Sequence, residues 1–189
     1  MIVYHHLFLS YQQSTEYEIV LGRKNVAVKL IITFDKKDCF HLMGLQYLTD
    51  RPELRRDRGK IFDEIQNGII KRENIESSDF YHKIQDRVYF FRCLKKCLIV
   101  MIRFLSIIKR RMSYSMIKAD YLMKNHMEGK NLFLFLSNAR DDSYFCRSFF
   151  SKEKMDYTKN QALWTLLYKK KRNLIDGSEH ILYDRLKKM

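Results

Sequence analysis

The chain has 189 residues, of which 46% are hydrophobic and 14% are aromatic, and this composition excludes a disordered polyelectrolyte. Its length allows one domain with a substantial core. Basic residues outnumber acidic ones by 36 to 22, and residues 101–189 carry 19 of the basic and 9 of the acidic side chains. An electric field of this sign favours RNA, DNA or an anionic membrane as the partner.

Two features of the sequence bear on its compartment. No apolar run reaches the roughly 18 residues that a membrane-spanning helix requires, and the first residues lack the pattern of a signal peptide, so we expect a cytoplasmic protein with no membrane partner. The cysteines Cys39, Cys93, Cys97 and Cys146 show no disulfide framework, and we expect reduced thiols. Cys93 and Cys97 have a spacing typical of a buried helix face, and a zinc site formed by both with a histidine is an open alternative. We expect no cofactor and no metal.

A β-hairpin is the first regular structure that the sequence predicts. Residues 17–21 and 26–34 are rich in β-branched and aromatic side chains, which favour strands. The turn-forming segment 22–25 joins the two runs. We therefore expect two antiparallel strands here.

A helix carrying a histidine follows the hairpin. The carboxylates of Asp35 and Asp38 predict the start of a helix over residues 38–49, and Pro52 marks its end. His41 would lie near the positive end of the helix dipole, which lowers the pKa of the imidazole and keeps it neutral. A neutral imidazole can act as a general base near pH 7. A single histidine at a helix entry is, however, more often a structural residue.

The middle of the chain predicts helices and the C-terminal half predicts a sheet. Apolar residues at helical spacing indicate helices over residues 58–69 and 77–98. Short runs rich in aromatic and β-favoured residues indicate strands over residues 115–122, 131–136, 143–150 and 163–170. Residues 132–136 lack polar alternation, which predicts a central strand buried on both faces.

These elements predict an α+β fold, in which an N-terminal β-hairpin and helices pack on a small antiparallel sheet of about four strands. We expect a single domain over residues 1–172. The charged segment 173–189 predicts a peripheral helix or tail.

Several short motifs carry a family resemblance through their order and spacing. They are FHLMGL at 40–45, IKADYL at 117–122, LFLFL at 132–136, SFF at 148–150 and Tyr157. Together they resemble a phage- and mobile-element-associated family of the barnase-EndoU-colicin-RelE-like nuclease fold, over approximately residues 17–172. The resemblance implies helices packed on a four-stranded antiparallel sheet and cleavage of RNA without a metal. It implies RNA as the partner and leaves room for a cognate inhibitor protein.

Metal-free RNA cleavage needs a base for the 2′-hydroxyl, an acid for the leaving oxygen and donors that stabilise the phosphorane. We predict that His41 is the base or acid, that Ser148 donates to phosphate, and that Lys118 binds phosphate at the catalytic centre. The predicted substrate-binding residues, which could stack on bases or contact the backbone, are Tyr121, Tyr157, Thr158 and Lys169.

Each of these residues also has a structural interpretation. The Ser148 hydroxyl can be satisfied by neighbouring backbone, Lys118 can pair with Asp120 at the surface, and Tyr157 can be a rim aromatic. The residue types alone do not decide between the two interpretations.

Strand alternation and charge runs complete the picture of the predicted site. Alternation places Cys146 and Ser148 on one face of their strand and Arg147 on the other. The runs 109–111 and 169–172 are typical of solvated faces, and they can also guide the backbone of a nucleic acid.

The sequence therefore predicts a metal-independent endoribonuclease, toxin-like or phage-associated. A non-catalytic basic protein that binds nucleic acid, or that mediates a phage–host interaction, is the alternative, and it would tolerate loss of His41. A membrane-surface protein would need a basic amphipathic helix; residues 93–112 come closest, but their apolar positions run around the helix and indicate burial.

Overall fold

Eight β-strands form one sheet in the computed structural model, which describes residues 14–100, 103–107, 117–151 and 156–186. The strands are β1 (Thr15–Arg23), β2 (Val26–Thr33), β3 (Arg103–Ser106), β4 (Tyr121–Met127), β5 (Lys130–Arg140), β6 (Ser143–Ser151), β7 (Ala162–Asn173) and β8 (Glu179–Asp184). Their order is β1-β2-β6-β5-β4-β3-β7-β8, and β1 also pairs with β7. Seven strands thus close into a barrel, with β8 as an extra strand on β7. The β2–β6 pair is parallel and the other pairs are antiparallel.

The prediction of a small, four-stranded antiparallel sheet is wrong. The predicted hairpin exists, with Lys24 and Asn25 at the positive φ angles of 47° and 63° that a tight two-residue turn requires. Its inner face, however, carries Tyr17, Ile19 and Leu21, which are all 0% exposed. Because a two-stranded hairpin cannot bury such a face alone, it is built into the barrel wall between β6 and β7.

The C-terminal segment, which was predicted to be a peripheral helix or tail, instead contains a strand, since residues 179–184 form β8. Asp176 and Gly177 are turn-forming residues, and Gly177 has a φ of 71°. The chain reverses there, and the Asn173 N–H donates to the Ser178 carbonyl at 2.8 Å. The predicted central strand, by contrast, is confirmed, because residues 132–136 of β5 are buried on both faces.

Five α-helices in the described part of the chain lie between β2 and β3. They are α1 (Lys36–Met43), α2 (Arg58–Gln66), α3 (Arg72–Glu76), α4 (Gln85–Phe91) and α5 (Leu94–Ile99), accompanied by single 3-10 turns at Leu45–Tyr47, Pro52–Leu54 and Tyr81–Lys83. Helices α1 and α4 pack against β6. The helical layer therefore covers one side of the barrel.

Two predicted helices are shorter in the structure. The helix predicted over residues 38–49 ends at Gly44, which adopts the left-handed conformation at φ 79°. The helix predicted over residues 77–98 starts later, because the Ser78 hydroxyl accepts from the Phe80 N–H and donates to Asp50. Such side-chain bonds replace the backbone bonds of a helix. The segment forms a 3-10 turn, α4 and α5 instead.

The core has two parts. The larger cluster fills the barrel and continues under the helices, and all four cysteines are free and buried. The smaller cluster lies on the outer face of β3 to β6 and consists of Leu105, Ala119, Leu122, Phe133, Phe135, Phe150 and Tyr157. No helix among the described residues is long and apolar enough to cross a membrane.

Lys169 belongs to the interior rather than to a solvated charge run. It is 1% exposed, and its Nζ donates to the Ile99 carbonyl at the end of α5, at 2.8 Å. The neighbouring Lys170 lies near the surface, and its Nζ is 3.5 Å from Oε2 of Glu18 and 3.0 Å from Oε1 of Glu179. The interpretation of residues 169–172 as a uniformly solvated face is therefore wrong at its first position.

Burial of Lys169 makes a prediction about stability and pH. Burial lowers the pKa of its amine from 10.5 to about 8, so between these values the folded chain binds fewer protons than the unfolded chain. The free energy of unfolding should therefore rise with pH across this window. Urea denaturation at about pH 8 and about pH 10 should show this rise in the wild type and a smaller one in Lys169→Met. An equal change in the free energy of unfolding between the two pH values in the wild type and in Lys169→Met would contradict this prediction.

Candidate active site

His41 lies in the last turn of α1. The helix begins at Lys36, because Asp35 accepts from the Lys37 N–H at 2.8 Å and Asp38 accepts from the Asp35 N–H at 3.1 Å. The predicted capping carboxylates are thus confirmed, but the helix that they cap begins two residues earlier than expected. His41 consequently stands at the negative end of the helix dipole, which corrects the prediction that it lies at the positive end.

The pKa of His41 is lowered for a different reason from the one predicted. Partial burial is the largest cause, followed by the positive charge of Arg58 and, more weakly, that of Arg147. Gln46 faces the imidazole and acts in the opposite direction, although its Oε1 has no partner at hydrogen-bonding distance. Arg58 is held over the ring of Phe40, with its Cζ 5.6 Å from the ring centre. The surroundings therefore favour the neutral imidazole.

A bulge in β6 determines the direction of the Ser148 side chain. Leu136 pairs with Cys146 and Phe135 pairs with Ser148, so Arg147 is the extra residue between them. Cys146 therefore faces the barrel interior and Ser148 the outer face, which corrects the prediction of a shared face. Bulges of this kind often redirect a side chain beside an active site.

Arg87 of α4 is the site residue that the sequence analysis missed. Its Nη1 donates to the Ser148 hydroxyl at 3.4 Å, and its Cζ lies 4.8 Å from the Phe150 ring centre and 5.3 Å from that of Tyr47. Burial lowers its pKa, while Tyr47 and Tyr157 act in the opposite direction. Among the described residues, no carboxylate forms an ion pair with this guanidinium.

The sequence contains one signal that could have identified Arg87. Within the helix predicted over residues 77–98, Arg87 is three residues after Ile84 and four before Phe91, and both of these are buried. A cation at these spacings lies on the apolar face of a helix. An arginine on such a face needs a specific partner and is therefore a candidate functional residue.

Gly44 lies at the end of the helix that carries His41 and close to Arg87 of α4. Its N–H binds the carbonyls of His41 and Phe40, and it ends α1 in the left-handed conformation. An added Cβ would lie 2.8 Å from Cδ of Arg87 and 2.9 Å from Cγ2 of Ile84. Only a glycine allows the end of α1 to approach α4 this closely.

Tyr157 lies beside Arg87, whereas Thr158 serves a local turn. The Tyr157 ring is 6% exposed and packs edge-on against the rings of Phe133 and Phe135, at centroid distances of 5.2 Å and 5.4 Å. Thr158 donates its hydroxyl and its N–H to Asp156, at 2.6 Å and 2.9 Å. The structure thus brings His41, Ser148 and Tyr157 to one region and gives Thr158 a structural bond.

The remaining predicted residues lie elsewhere. Lys118 is exposed in the segment before β4, and its carbonyl accepts from the Ser137 hydroxyl at 2.8 Å. Tyr121 packs its ring against Tyr144 and Trp164, at centroid distances of 5.6 Å and 6.2 Å. Lys169 is inside the barrel, as described above. The charge run 109–111 lies outside the described residues.

The donor set of the site suits phosphate oxygens. Its charged and polar members are imidazole, guanidinium and hydroxyl groups, whereas divalent magnesium prefers carboxylates. A search of the described residues finds no group of three His, Cys, Asp or Glu side chains placed to hold a metal ion. The two cysteines of the alternative zinc site have other surroundings: the Cys97 thiol contacts Sδ of Met127 at 3.5 Å, and Cys93 is buried.

Comparison with known proteins supports a nuclease assignment. A family model described as phage-Barnase-EndoU-ColicinE5/D-RelE like nuclease4 matches residues 12–186. The resemblance inferred from the short motifs is thereby confirmed. Neither a curated protein nor a solved structure matches the chain.

Replacing Gly44 by alanine should disturb the site more than the same change at another left-handed glycine. Gly44→Ala combines backbone strain with crowding against Arg87 and the fully buried Ile84. Gly68 is the matched control, because it has a φ of 72° and nothing within 4 Å of an added Cβ. We expect Gly44→Ala to be less stable than Gly68→Ala by about 1–3 kcal/mol in chemical denaturation. Equal losses would show that Arg87 and Ile84 are not in close contact with Gly44.

Proposed function

The chain belongs to the phage-Barnase-EndoU-ColicinE5/D-RelE like nuclease4 family, and on this basis we propose that it is a metal-independent endoribonuclease, toxin-like or phage-associated. The observation that carries the proposal is the position of Arg87. A partly buried guanidinium without a carboxylate partner among the described residues contacts Ser148 of β6, next to Arg147, whose charge acts on His41. Such a cation is available to an anionic group of the substrate.

His41 is the proposed general base. Burial and two arginines favour its neutral form, which can accept the proton of a 2′-hydroxyl. The resulting oxyanion attacks the adjacent phosphorus, and the bond from phosphorus to the 5′-oxygen breaks. The products are a 2′,3′-cyclic phosphate and a free 5′-hydroxyl, so the reaction requires RNA.

Arg87 and Ser148 are the proposed stabilisers of the phosphorane. The guanidinium lies over the rings of Tyr47 and Phe150, which hold it in place, so its N–H groups do not need to reorganise as charge develops. The Ser148 hydroxyl accepts one of these N–H groups and keeps its own proton for a phosphate oxygen.

The remaining roles follow from exposure. Arg147 is exposed at the bulge and Arg58 lies beside His41, so both are proposed to hold the phosphate before reaction. Tyr47 is 43% exposed and lies beside Arg87, and we assign its hydroxyl the protonation of the leaving oxygen. Tyr157 is proposed to position Arg87. Lys118, Tyr121 and Lys169 are not part of this constellation.

The alternative is a non-catalytic protein that binds nucleic acid or mediates a phage–host interaction. The net charge of +14 and the arginines of the site would serve RNA binding equally well. This alternative differs from the proposal in one respect, since it requires no proton transfer by His41.

Loss of His41 should abolish most of the cleavage while leaving the fold intact. We expect His41→Ala to reduce the cleavage of a single-stranded RNA by roughly 100-fold or more, with little change in affinity. Wild-type activity should fall toward acidic pH with a midpoint below 6.5, because the pKa of His41 is lowered and only its neutral form is a base.

Three controls distinguish this mechanism from the alternatives. Activity should persist in EDTA, a substrate with 2′-deoxy nucleotides should remain intact, and the 5′ fragments should carry a 2′,3′-cyclic phosphate. A requirement for added magnesium or equal cleavage of DNA would contradict the mechanism. Unchanged activity in His41→Ala would favour the binding protein.

Replacing Arg87 should affect the chemical step, and Arg92 provides a matched control. Arg92 also lies over an aromatic ring, with its Cζ 4.3 Å from the centre of Tyr89, but it pairs with Glu128 at 2.8 Å. We expect Arg87→Gln to lower kcat by roughly 100-fold to 1000-fold, as for other transition-state donors, and Arg92→Gln to leave it within about threefold. Arg87→Lys should restore only part of the rate, since lysine lacks the planar fork. Equal effects in the two glutamine variants would remove Arg87 from the site.

A further inference from the structure

A row of four side chains crosses the outer face of the barrel beside the candidate site. In register, Phe150 of β6 pairs with Phe133 of β5, Phe133 pairs with Lys124 of β4, and Lys124 pairs with Arg103 of β3. Arg87 lies over Phe150 at one end of the row, and Nζ of Lys124 lies 5.8 Å from the centre of Phe133 at the other. Three strand spacings of about 4.8 Å therefore separate the candidate site from Arg103, or about 14 Å.

A cavity of about 250 Å³ lies at the far end of this row. It is lined by Arg103, Lys124, Asn125, His126 and Asn131. Pockets that take drug-sized ligands begin at about 300 Å³, so this cavity is suited to a smaller group, such as a phosphate with part of its sugar. Two of its lining residues are permanently charged cations, and the others bring amide and imidazole groups.

The strand pairing forces two positive charges together at this cavity. Arg103 and Lys124 are directly opposite on antiparallel strands, and like charges in this relation repel. Asp156 interacts electrostatically with Lys124 and offsets part of the repulsion. Within the described residues, Arg103 forms no ion pair. An anion in the cavity would relieve the repulsion that remains.

Hydrogen-bonding groups accompany the two cations. Asn131 Oδ1 lies 3.3 Å from Nδ1 of His126, a contact that leaves the Asn131 amide N–H groups for another acceptor. Asn125 is 4% exposed, and its Nδ2 donates to the Cys97 carbonyl at 2.9 Å. Strand alternation directs the Asn125 side chain to the barrel interior, on the opposite face of β4 from Lys124, so Asn125 supports the wall of the cavity and leaves binding to the other lining residues.

We propose that this cavity is a second anion subsite, which binds a phosphate group of the same RNA strand whose reacting phosphate occupies the candidate site. The inference rests on the proposed function for the identity of the polymer. Arg103 and Lys124 hold the phosphate, and His126 and Asn131 donate to its oxygens. The subsite extends the contact between protein and RNA across three strands.

Binding of RNA that cannot be cleaved tests the subsite separately from catalysis. The probes are fluorescein-labelled 2′-O-methyl single strands of about 12 and about 3 nucleotides, and only the longer one can span about 14 Å and both sites. The variant is Arg103→Gln combined with Lys124→Gln. Its matched control is Arg23→Gln combined with Arg140→Gln, which removes the same charge from exposed positions near two hairpin turns.

We expect the site variant to bind the longer probe about tenfold more weakly than the control, and to depend less on salt. The slope of log affinity against log salt should be shallower by about 0.7, the value for one phosphate on a single strand. The shorter probe should bind both variants equally. Equal affinity of both variants for the longer probe, or an equal loss for both probes, would overturn the proposal.

A charge reversal at Lys124 gives a second test, with a variant that should keep the stability of the fold. Lys124→Glu places a carboxylate opposite Arg103, which should favour the strand pair while repelling phosphate. We expect thermal stability to be kept and the affinity for the longer probe to fall at least as far as in the double variant. Wild-type affinity in Lys124→Glu would overturn the subsite. Failure of the wild type to cleave unmodified RNA would overturn the proposed function and leave these binding results unaffected.

Discussion

Closure of the barrel through the β1–β7 pair is the constraint on which the rest of the structure depends. β7 pairs with β1 along most of its length and with β3 and β8 along its other edge. Without the β1–β7 ladder, the fully buried Tyr17, Ile19 and Leu21 would face solvent, and burial of such side chains is the main driving force of folding. Closure also gives the sheet an inside and an outside, and the candidate site can be built only on the outside.

The site itself depends on two local departures from regular structure. The bulge at Arg147 turns Ser148 outward while Cys146 stays inside the barrel, and the left-handed Gly44 ends α1 where it meets Arg87. The bulge interrupts the regular pairing of β5 with β6, and the left-handed Gly44 interrupts the helical geometry of α1. Both lie at the point where α1, α4 and β6 meet. Their position supports a functional rather than a purely structural reason for the local geometry.

Local signals in the sequence predicted local structure well. The hairpin, the caps at Asp35 and Asp38 and the buried strand 132–136 follow from propensities and patterns within a few residues, and the structure confirms them. Barrel closure depends on the pairing of β1 with β7, which lie far apart in the sequence, and no short pattern specifies it. Strand β8 forms a local hairpin with β7, and the charged composition of residues 173–189 concealed its strand character. The position of His41 relative to the helix ends was wrong because α1 begins two residues earlier than predicted and ends at Gly44 instead of near residue 49.

Residues of the candidate site were proposed from the sequence where a motif contained them and were missed where the fold brings distant segments together. His41, Ser148 and Tyr157 lie in motifs that resemble the family, whereas Arg87 comes from a segment whose apolar pattern indicated only a core helix. Lys169 shows the opposite error, because a run of four basic residues hides one that β7 directs into the barrel. Charge in a sequence therefore indicates the partner, and only the register of each strand decides which charges can reach it.

The distribution of charge in the structure connects stability with function. Arg87 without a carboxylate partner among the described residues and the opposed Arg103 and Lys124 are arrangements that weaken a folded protein in the absence of an anion. These two arrangements lie on the outer face of the sheet, at the two ends of the row of paired side chains that runs from β6 to β3. A polyanion that contacts both ends would neutralise the uncompensated charges together. In the proposed complex, relief of this electrostatic cost contributes to the affinity for the bound strand.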